Sequence, residues 1–455
     1  MPTISVPWGP NGELDLVLPT SGSFSGAQVD VVRPDLSEPV QDYERALAQA
    51  IDSPVGAPRL EELTGPGSTV AIVVDDPSRW TPVREALPVV LQRLEAAGVR
   101  SEDVTITVGV GRHAPVDAEA MRRRVGKDIA AKYRCFSPPV DELSAYDSLG
   151  MAQGIPIYVF GPVARASLRI IIGSVLPHLQ AGFGGGYKLI FPGTSHRVTL
   201  GALHRQGIAG RSDPAHLLGG FADQNAMRQA IHAAAKRLGT CWSISHLAAG
   251  RGQVFRIVAG HPEQVQNVLA TEAQRRLQAP DACPADLVVA GNEPWPGDPM
   301  QSFKALLHHR AACVPGGVLV GLFWTDPVEI DRSFPIDSLR RIARTGTAGA
   351  WTIRWLLPAV ERMAQTAGSS AAFMLHWARE LVIDRSVLVY APPLYERIGK
   401  RLGPVQVFAE QDSLWRAASY LLGREQRKQA NVVVRVRVFP HGGLTYVPSR
   451  PETVQ

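Results

Sequence analysis

At 455 residues the chain is long enough for two or three domains of roughly 100–200 residues each. With 45% hydrophobic and 20% charged residues it can bury substantial cores, which excludes a disordered or fibrous chain. Lys and Arg exceed Asp and Glu by 47 − 42 = 5. These charges are scattered, so the mildly basic surface attracts anionic small molecules modestly and offers nucleic acid no stripe.

The opening Met1-Pro2-Thr3-Ile4 has no basic segment followed by an apolar one, so a signal peptide is not expected. Cys135, Cys241, Cys283 and Cys313 lie far apart, which argues against a disulfide framework or structural zinc and fits a reducing cytoplasm. Apolar runs such as Ile170–Leu176 are too short to span a bilayer. A cytoplasmic protein with neither nucleic-acid nor membrane partners is therefore expected.

In chain order, Val70–Val74 reads as a buried strand. Thr81 is the expected N-cap of a helix with Pro82 at its first position, Pro88 as a kink and Gly98 at C′. Val104–Val108 is the next strand, which completes a βαβ unit and implies a parallel sheet. The alternation returns in the strand Leu168–Ile172, the strand Asp286–Ala290, a helix over Met300–Cys313 and the strand Val318–Phe323. It continues in the strand Val387–Tyr390, a helix over Tyr395–Leu402 and the strands Val405–Phe408 and Val432–Val438. The expected fold is α/β, with two domains of mainly parallel, Rossmann-like sheets and the active site in the interdomain cleft. Residues 1–275 form an N-terminal α/β domain, 285–425 a C-terminal α/β domain and 426–455 a final strand and tail. The join falls within Thr271–Pro284.

Open parallel sheets bind ligands at the carboxyl ends of their strands, and residues of chemical character gather there. Asp75-Asp76-Pro-Ser-Arg79 follows the first strand and Gly109-Val-Gly111-Arg-His113 the second. Gly173-Ser-Val-Leu-Pro-His178 follows the third, and Asn292 then Gln301-Ser-Phe-Lys304 follow the strand of the second domain. Gly182-Phe-Gly184-Gly185-Gly186-Tyr-Lys188 lets the backbone approach a ligand closely and offers N–H groups to a phosphate. It lacks the remaining P-loop residues, so an NTPase is not implied. His308, His309, His376 and His441 read as packing residues, and His196 beside Ser195 has no elbow motif. His113, His178 and His204 follow strand ends or flank the glycine loop; with the lysine they fit metal binding, acid–base catalysis or both.

Five motifs in order resemble the lactate racemase family, whose enzymes carry a nickel-pincer nucleotide. They are Asp75-Asp-Pro-Ser-Arg79, Gly111-Arg-His-Ala-Pro-Val-Asp-Ala-Glu119, Pro177-His-Leu-Gln-Ala-Gly-Phe-Gly-Gly-Gly-Tyr-Lys188, His204, and Gly291-Asn292 with Gln301-Ser-Phe-Lys304. The resemblance covers the chain to about residue 325. It implies an isomerase that inverts Cα of a 2-hydroxy acid through a 2-keto acid, by proton-coupled hydride transfer. The cofactor it implies is a Ni(II) pyridinium thioamide/thiocarboxylate mononucleotide attached covalently to Lys188, with His204 as nickel ligand. Asp76, Gly182, Gly184, Gly185 and Gly186 then contact the cofactor. His113 and His178 match the catalytic bases, and Arg79, Gln301 and Lys304 the substrate-binding residues. Arg112 competes with His113 for the first-base position. Partners implied are a small-molecule 2-hydroxy acid and the enzymes that build the cofactor; oligomeric state is not implied. Trp80 beside Arg79 and the pair Leu179-Gln180 depart from the family pattern and point to a substrate larger than lactate. The alternatives are a metal-dependent hydrolase using the histidine cluster and a non-catalytic protein that binds an anion or cofactor.

Overall fold

The computed structural model describes residues 3–209, 218–221, 225–250, 252–295, 297–367, 372–426 and 433–448. The chain divides into two compact units, Leu36–Arg276 and a split unit of Met1–Asp35 with Leu277–Gln455. This corrects the expected boundaries. Residues 1–35 leave the N-terminal domain because Gln28–Val31 pairs in parallel with Arg435–Phe439 in the sheet of the second unit. The same pairing makes Arg435–Phe439 an interior strand of that sheet and not part of a separate appendage. Residue 432 and the tail residues 449–455 lie outside the described residues. The expected join at Thr271 is helical: α6 (Pro262–Leu277) runs through it, and the units divide at its end.

The unit Leu36–Arg276 holds α1 (Tyr43–Asp52) and a six-stranded sheet. Its strands are β1 (Val70–Asp75), β2 (Val104–Gly109), β3 (Arg134–Phe136), β4 (Leu168–Ser174), β5 (Thr240–Ala248) and β6 (Val254–Gly260). Their spatial order is β3-β2-β1-β4-β5-β6, parallel throughout except for the edge strand β6. The chain winds outward from β1 in one direction and then from β4 in the other, so the switch point lies between β1 and β4.

Every residue of β1 is buried because both sheet faces are covered, which is why the strand reads as one continuous apolar run. Val70, Ile72 and Val74 pack under Ala86, Leu87, Val90 and Leu94 of α2 (Val83–Ala96). Ala71 and Val73 face α5 (Ala226–Ala235) and the hairpin Tyr146–Ala152/Ile155–Phe160. Each large side chain buried this way stabilises the fold by roughly 1.5–3 kcal/mol. α2 closes as expected: Val99 N–H bonds Leu94 O at 3.0 Å and Gly98 N–H bonds Glu95 O at 2.9 Å, with Gly98 at φ 86°. Its start differs, since Pro82 occupies the cap position and Thr81 donates its hydroxyl to the Asp75 carboxylate.

The split unit carries a seven-stranded sheet. β7 (Ala285–Gly291), β8 (Cys313–Leu322), β9 (Ser386–Tyr390), β10 (Val405–Phe408) and β11 (Arg435–Phe439) are parallel, in the order β10-β9-β8-β7-β11. α7 (Pro299–His309) crosses from β7 to β8. The helices between Pro327 and Val382, among them α8 (Gly346–Thr366), have no counterpart in the expected elements.

Two histidines are sealed into these units as neutral rings. His246 on β5 is held by Gly173 O at 3.1 Å on Nδ1 and by the Tyr43 hydroxyl at 2.9 Å on Nε2. His309 on α7 is held by Ala305 O at 2.7 Å and Thr445 Oγ1 at 3.0 Å. Burial pulls their pKa values down to about 4 and about 3. Unfolding restores the ordinary value of about 6.5, so below that pH the unfolded chain takes up protons first. The contribution of the neutral rings is complete above about pH 6.5 and falls toward pH 4 by about 1.4 kcal/mol per pH unit per histidine. Denaturant titrations across this range should show the decline, and a His246→Asn variant should show a shallower slope than wild type.

Candidate active site

Three adjacent strands, β2, β1 and β4, end at the same edge of the sheet, and the loops that leave them carry the chemistry. After β1, Asp75 is buried and ion-paired with Arg124 of α3 (Ala118–Val125), while Thr81 Oγ1 bonds the same carboxylate. Thr81 Oγ1 also lies 2.5 Å from Ser174 Oγ, which ties this loop to the end of β4. Arg124 further donates to Asp75 O at 3.0 Å, Thr81 O at 3.1 Å and Arg79 O at 3.2 Å. Its guanidinium therefore fixes both the base of the loop and the backbone of Arg79. Burial pushes the Asp75 carboxyl above its ordinary pKa against the pull of Arg124 and Thr81.

Asp76 points the other way. Its Oδ2 lies 3.3 Å from His113 Nδ1 and 3.9 Å from Arg79 Nε, and its Oδ1 accepts the Ser78 N–H at 2.8 Å. Burial raises its pKa, but the hydrogen bond and charge of His113, with Arg79 and Ser78, outweigh that and hold the carboxyl well below the usual range. A carboxylate on Nδ1 orients the His113 ring and leaves the lone pair on Nε2. Arg112 is exposed beside it. Gly111 N–H bonds Gly193 O at 2.9 Å, and this joins the loop after β2 to the segment that follows Lys188.

After β4 the chain forms a small hairpin in which His178 pairs with Gly182 and Pro177 with Phe183. His178 Nδ1 accepts N–H groups of Gln180 at 3.2 Å and Ala181 at 3.1 Å, so the proton of its neutral ring sits on Nε2. The glycines that follow are required by space as well as by φ. A Cβ at Gly182 (φ 69°) would lie 1.8 Å from Gly220 O, and one at Gly185 (φ 74°) would lie 2.6 Å from Val175 Cγ2. Lys188, half-buried, stands in the short helical turn Gly186–Leu189. His204, on α4 (Arg197–Ala209), is buried, and its Nδ1 donates to Leu200 O at 2.8 Å, which puts the lone pair of the neutral ring on Nε2. Gln180 Nε2 bonds His204 O at 3.2 Å, so the hairpin and α4 are fastened together.

Gln301 and Lys304 stand on α7 of the split unit. Asp298 caps this helix by accepting the N–H groups of Met300 and Gln301, each at 2.9 Å. Three residues apart, they share a helix face. Gln301 is buried, and Lys304 Nζ lies 5.8 Å from the centre of the Trp295 ring. Asn292 fastens the loop after β7 to α7 through Ser302 Oγ at 2.8 Å and to Trp324 O at 2.7 Å. Sequence reasoning passed over Arg124, which reads as one of a run of three arginines on a solvated helix end, and Arg228, which reads as a surface residue of an ordinary helix.

The family model described as the lactate racemase N-terminal domain matches residues 23–214. Over that stretch the chain is similar to lactate racemases. It is 25% identical over 280 residues to the lactate racemase of Thermoanaerobacterium thermosaccharolyticum, covering 61% of this chain and 65% of that protein. To the lactate racemase of Lactiplantibacillus plantarum it is 24% identical over 284 residues, again 61% of this chain and 65% of that protein. The aligned stretch thus spans just under two thirds of the length of these relatives. The fold is similar to that of the lactate racemase apoprotein from T. thermosaccharolyticum, with a TM-score of 0.79 and 19% identity, covering 98% of this chain and 100% of that one. A Thermotoga maritima protein is also similar in fold, with a TM-score of 0.62 and 12% identity over 90% of this chain and 99% of that one.

The family match takes in Asp76, Arg79, His113, His178, Lys188 and His204, all of which belong to the unit Leu36–Arg276. The loop carrying Asp76 and Arg79 is held by a residue of its own unit, Arg124. Arg124→Met removes the partner of a buried carboxylate and should cost about 3–5 kcal/mol in denaturant unfolding. Adding Asp75→Asn should restore a large part of that loss, whereas additive losses would separate the two residues.

Proposed function

We propose that the chain is a racemase or epimerase that inverts Cα of a 2-hydroxy acid by proton-coupled hydride transfer, through a 2-keto acid. The observation that carries this reading is the gathering of Asp76, Arg79, His113, His178 and Lys188 on the ends of three adjacent strands, within the segment the family model matches. The cofactor implied by the family is the nickel-pincer nucleotide, tethered through Lys188.

The residues present fit that group. Gly182, Gly185 and Gly186 let the loop pack where any Cβ would meet Gly220 O, Val175 Cγ2 or Pro262 O, and Lys188 stands in the turn that follows. His204 presents one imidazole nitrogen to a metal. Among the described residues no three His, Cys, Asp or Glu side chains converge as a metal site. That suits a nickel ion held largely by its own organic ligand and disfavours a hydrolase that binds metal through its side chains alone. When bound, the cofactor supplies a carbon that accepts and returns hydride.

The chain's own residues do the rest. Arg79 binds the substrate carboxylate through its guanidinium fork and so fixes the direction of the Cα–H bond. The resemblance implies substrate-binding roles for Gln301 and Lys304 as well, for which an amide and a positive charge are the chemistry they offer. His113, oriented by Asp76, takes the hydroxyl proton on Nε2. In the return step His178, as an imidazolium, is the acid that gives a proton to the carbonyl oxygen and returns to its neutral form. In the opposite direction the two rings exchange roles. We take His113 as the first base, since its Nδ1 lies 3.3 Å from Asp76 Oδ2. Trp80 beside the substrate arginine favours a substrate larger than lactate. No described helix is long and apolar enough to cross a membrane, and we place the enzyme in the cytoplasm with the cofactor-building enzymes as its partners.

The test is to co-express the chain with those enzymes and assay single-enantiomer 2-hydroxy acids, from lactate to aromatic and sugar-derived ones, by chiral chromatography in deuterated solvent. Inversion with little solvent deuterium at Cα is expected, together with added mass on Lys188. An unmodified Lys188 and no inversion across the panel would refute the reading. His113→Ala and His178→Ala should each lower kcat/KM by about 10²–10⁴-fold and equally in both directions, since the equilibrium constant cannot change.

A further inference from the structure

α8 (Gly346–Thr366) divides into two unlike halves. On the inner half Ala350 and Glu361 are buried, and the Glu361 carboxylate lies 3.1 Å from His376 Nδ1 and 2.6 Å from Arg379 Nε on the helix Ala372–Val382. Arg354 donates to Ile383 O at 2.6 Å. Trp351, Trp355, Leu356, Ala359, Val360 and Met363 share the other half, since at about 100° per residue they fall within half of the helix circumference. Trp351 is 67% exposed, Trp355 68%, Leu356 41%, Val360 44% and Met363 71%, and Ala359 is exposed with them. The two tryptophan rings stack on each other at the surface, 6.5 Å between centroids and 9° between planes. Thr352 between them spends its hydroxyl on Ala348 O at 3.0 Å. Among the described residues of α8, Arg362 is the one charge on this outer half.

Single exposed apolar side chains are ordinary, but a continuous apolar face of this size marks a contact surface. With two thirds of each tryptophan open beside Leu356, Val360 and Met363, it offers about 600 Å². A helix face is convex, so a small molecule finds no enclosing pocket on it. A helix that lies on anionic lipid carries many cations along its polar border, whereas α8 exposes one. A second copy of the same face fits better. Two such faces together would bury about 1,200 Å², which reaches the range of specific, stable interfaces. Isologous contact demands a face that complements itself. Antiparallel pairing about a two-fold axis beside Leu357 sets Trp355 against Ala359 of the second copy and Trp351 against its Met363. Large rings then meet a small or a flexible side chain, as interdigitation requires. In the same register Arg362 falls beside Thr352 and away from its own image, so no like charges meet.

We propose that the outer half of α8 is an interface between two copies of this chain, whose α8 helices pack antiparallel about a two-fold axis beside Leu357. Sedimentation velocity of the full chain over a dilution series tests it. Wild type should run as a dimer that dissociates on dilution. Trp351→Glu and Trp355→Glu, each placing a charge within the face, should raise the dissociation constant by about thirtyfold or more. Arg362→Gln, outside the tryptophan contacts, should leave it within about threefold of wild type. A wild-type chain that stays monomeric throughout would overturn the proposal, as would glutamate variants that dimerise like wild type. A monomer that binds vesicles of phosphatidylglycerol through the two tryptophans would assign the face to lipid and overturn it too. Should the variants fail to fold, hydrogen exchange of the wild-type chain decides. Amides of residues 351–363 must exchange more slowly at high than at low protein concentration, and equal rates would sink the dimer. None of these readouts needs cofactor or turnover, so this result and that of the inversion assay stand or fall separately.

Discussion

The parallel pairing of β1 between β2 and β4 is the constraint from which the site follows. Parallel neighbours leave the sheet at the same edge, so three loops separated by up to about a hundred residues of chain are delivered side by side. β1 is buried on both faces and bonded on both sides, which gives its end little freedom to move. The direction of winding also reverses beside it. Two loops on one side of the switch point and one on the other therefore leave the sheet at a common edge.

Polar groups behind that edge set the precision of the arrangement. Asp75 and Asp76 are adjacent and nearly equally buried, yet their environments send them in opposite directions. One is walled in with Arg124 and Thr81 as the root of the loop; the other is drawn toward ionisation by His113 and Arg79 and serves the site. On the far side of the switch point, Gln180 and Arg228 do the same for the hairpin and the glycine loop by gripping backbone groups. Both loops are held by cationic side chains, Arg124 and Arg228, on helices that follow later in the chain. A loop that has to present a base or an amine in one orientation gains from such grips, because the catalytic side chain itself stays available for chemistry.

Much of the first layer could be read directly. The continuous apolar runs at Val70, Val104 and Leu168 announce buried parallel strands because no face of them meets water. Gly98 announces the end of α2, since only a residue tolerant of positive φ closes that turn cheaply. The hairpin at Tyr146–Phe160 was legible in principle from Gln153-Gly154, both of which take positive φ in the tight turn. The helices between Pro327 and Val382 were not, because their apolar spacing is interrupted by exposed tryptophans and buried polar residues such as Glu361.

The sequence by itself determined the α/β alternation, the order of chemical motifs along the chain and their likeness to one family, because local hydrophobic patterning and short motifs are properties of neighbouring residues. Tertiary structure alone decided that Gln28–Val31 joins the second sheet, that Thr81 serves a buried carboxylate instead of a helix end, and that His113 Nδ1 lies beside Asp76. It alone revealed Arg124 and Arg228 as the buried cations that grip the two loops. Those outcomes depend on which strand edges find partners and which charges lose their water, and both are settled by residues far away in the chain.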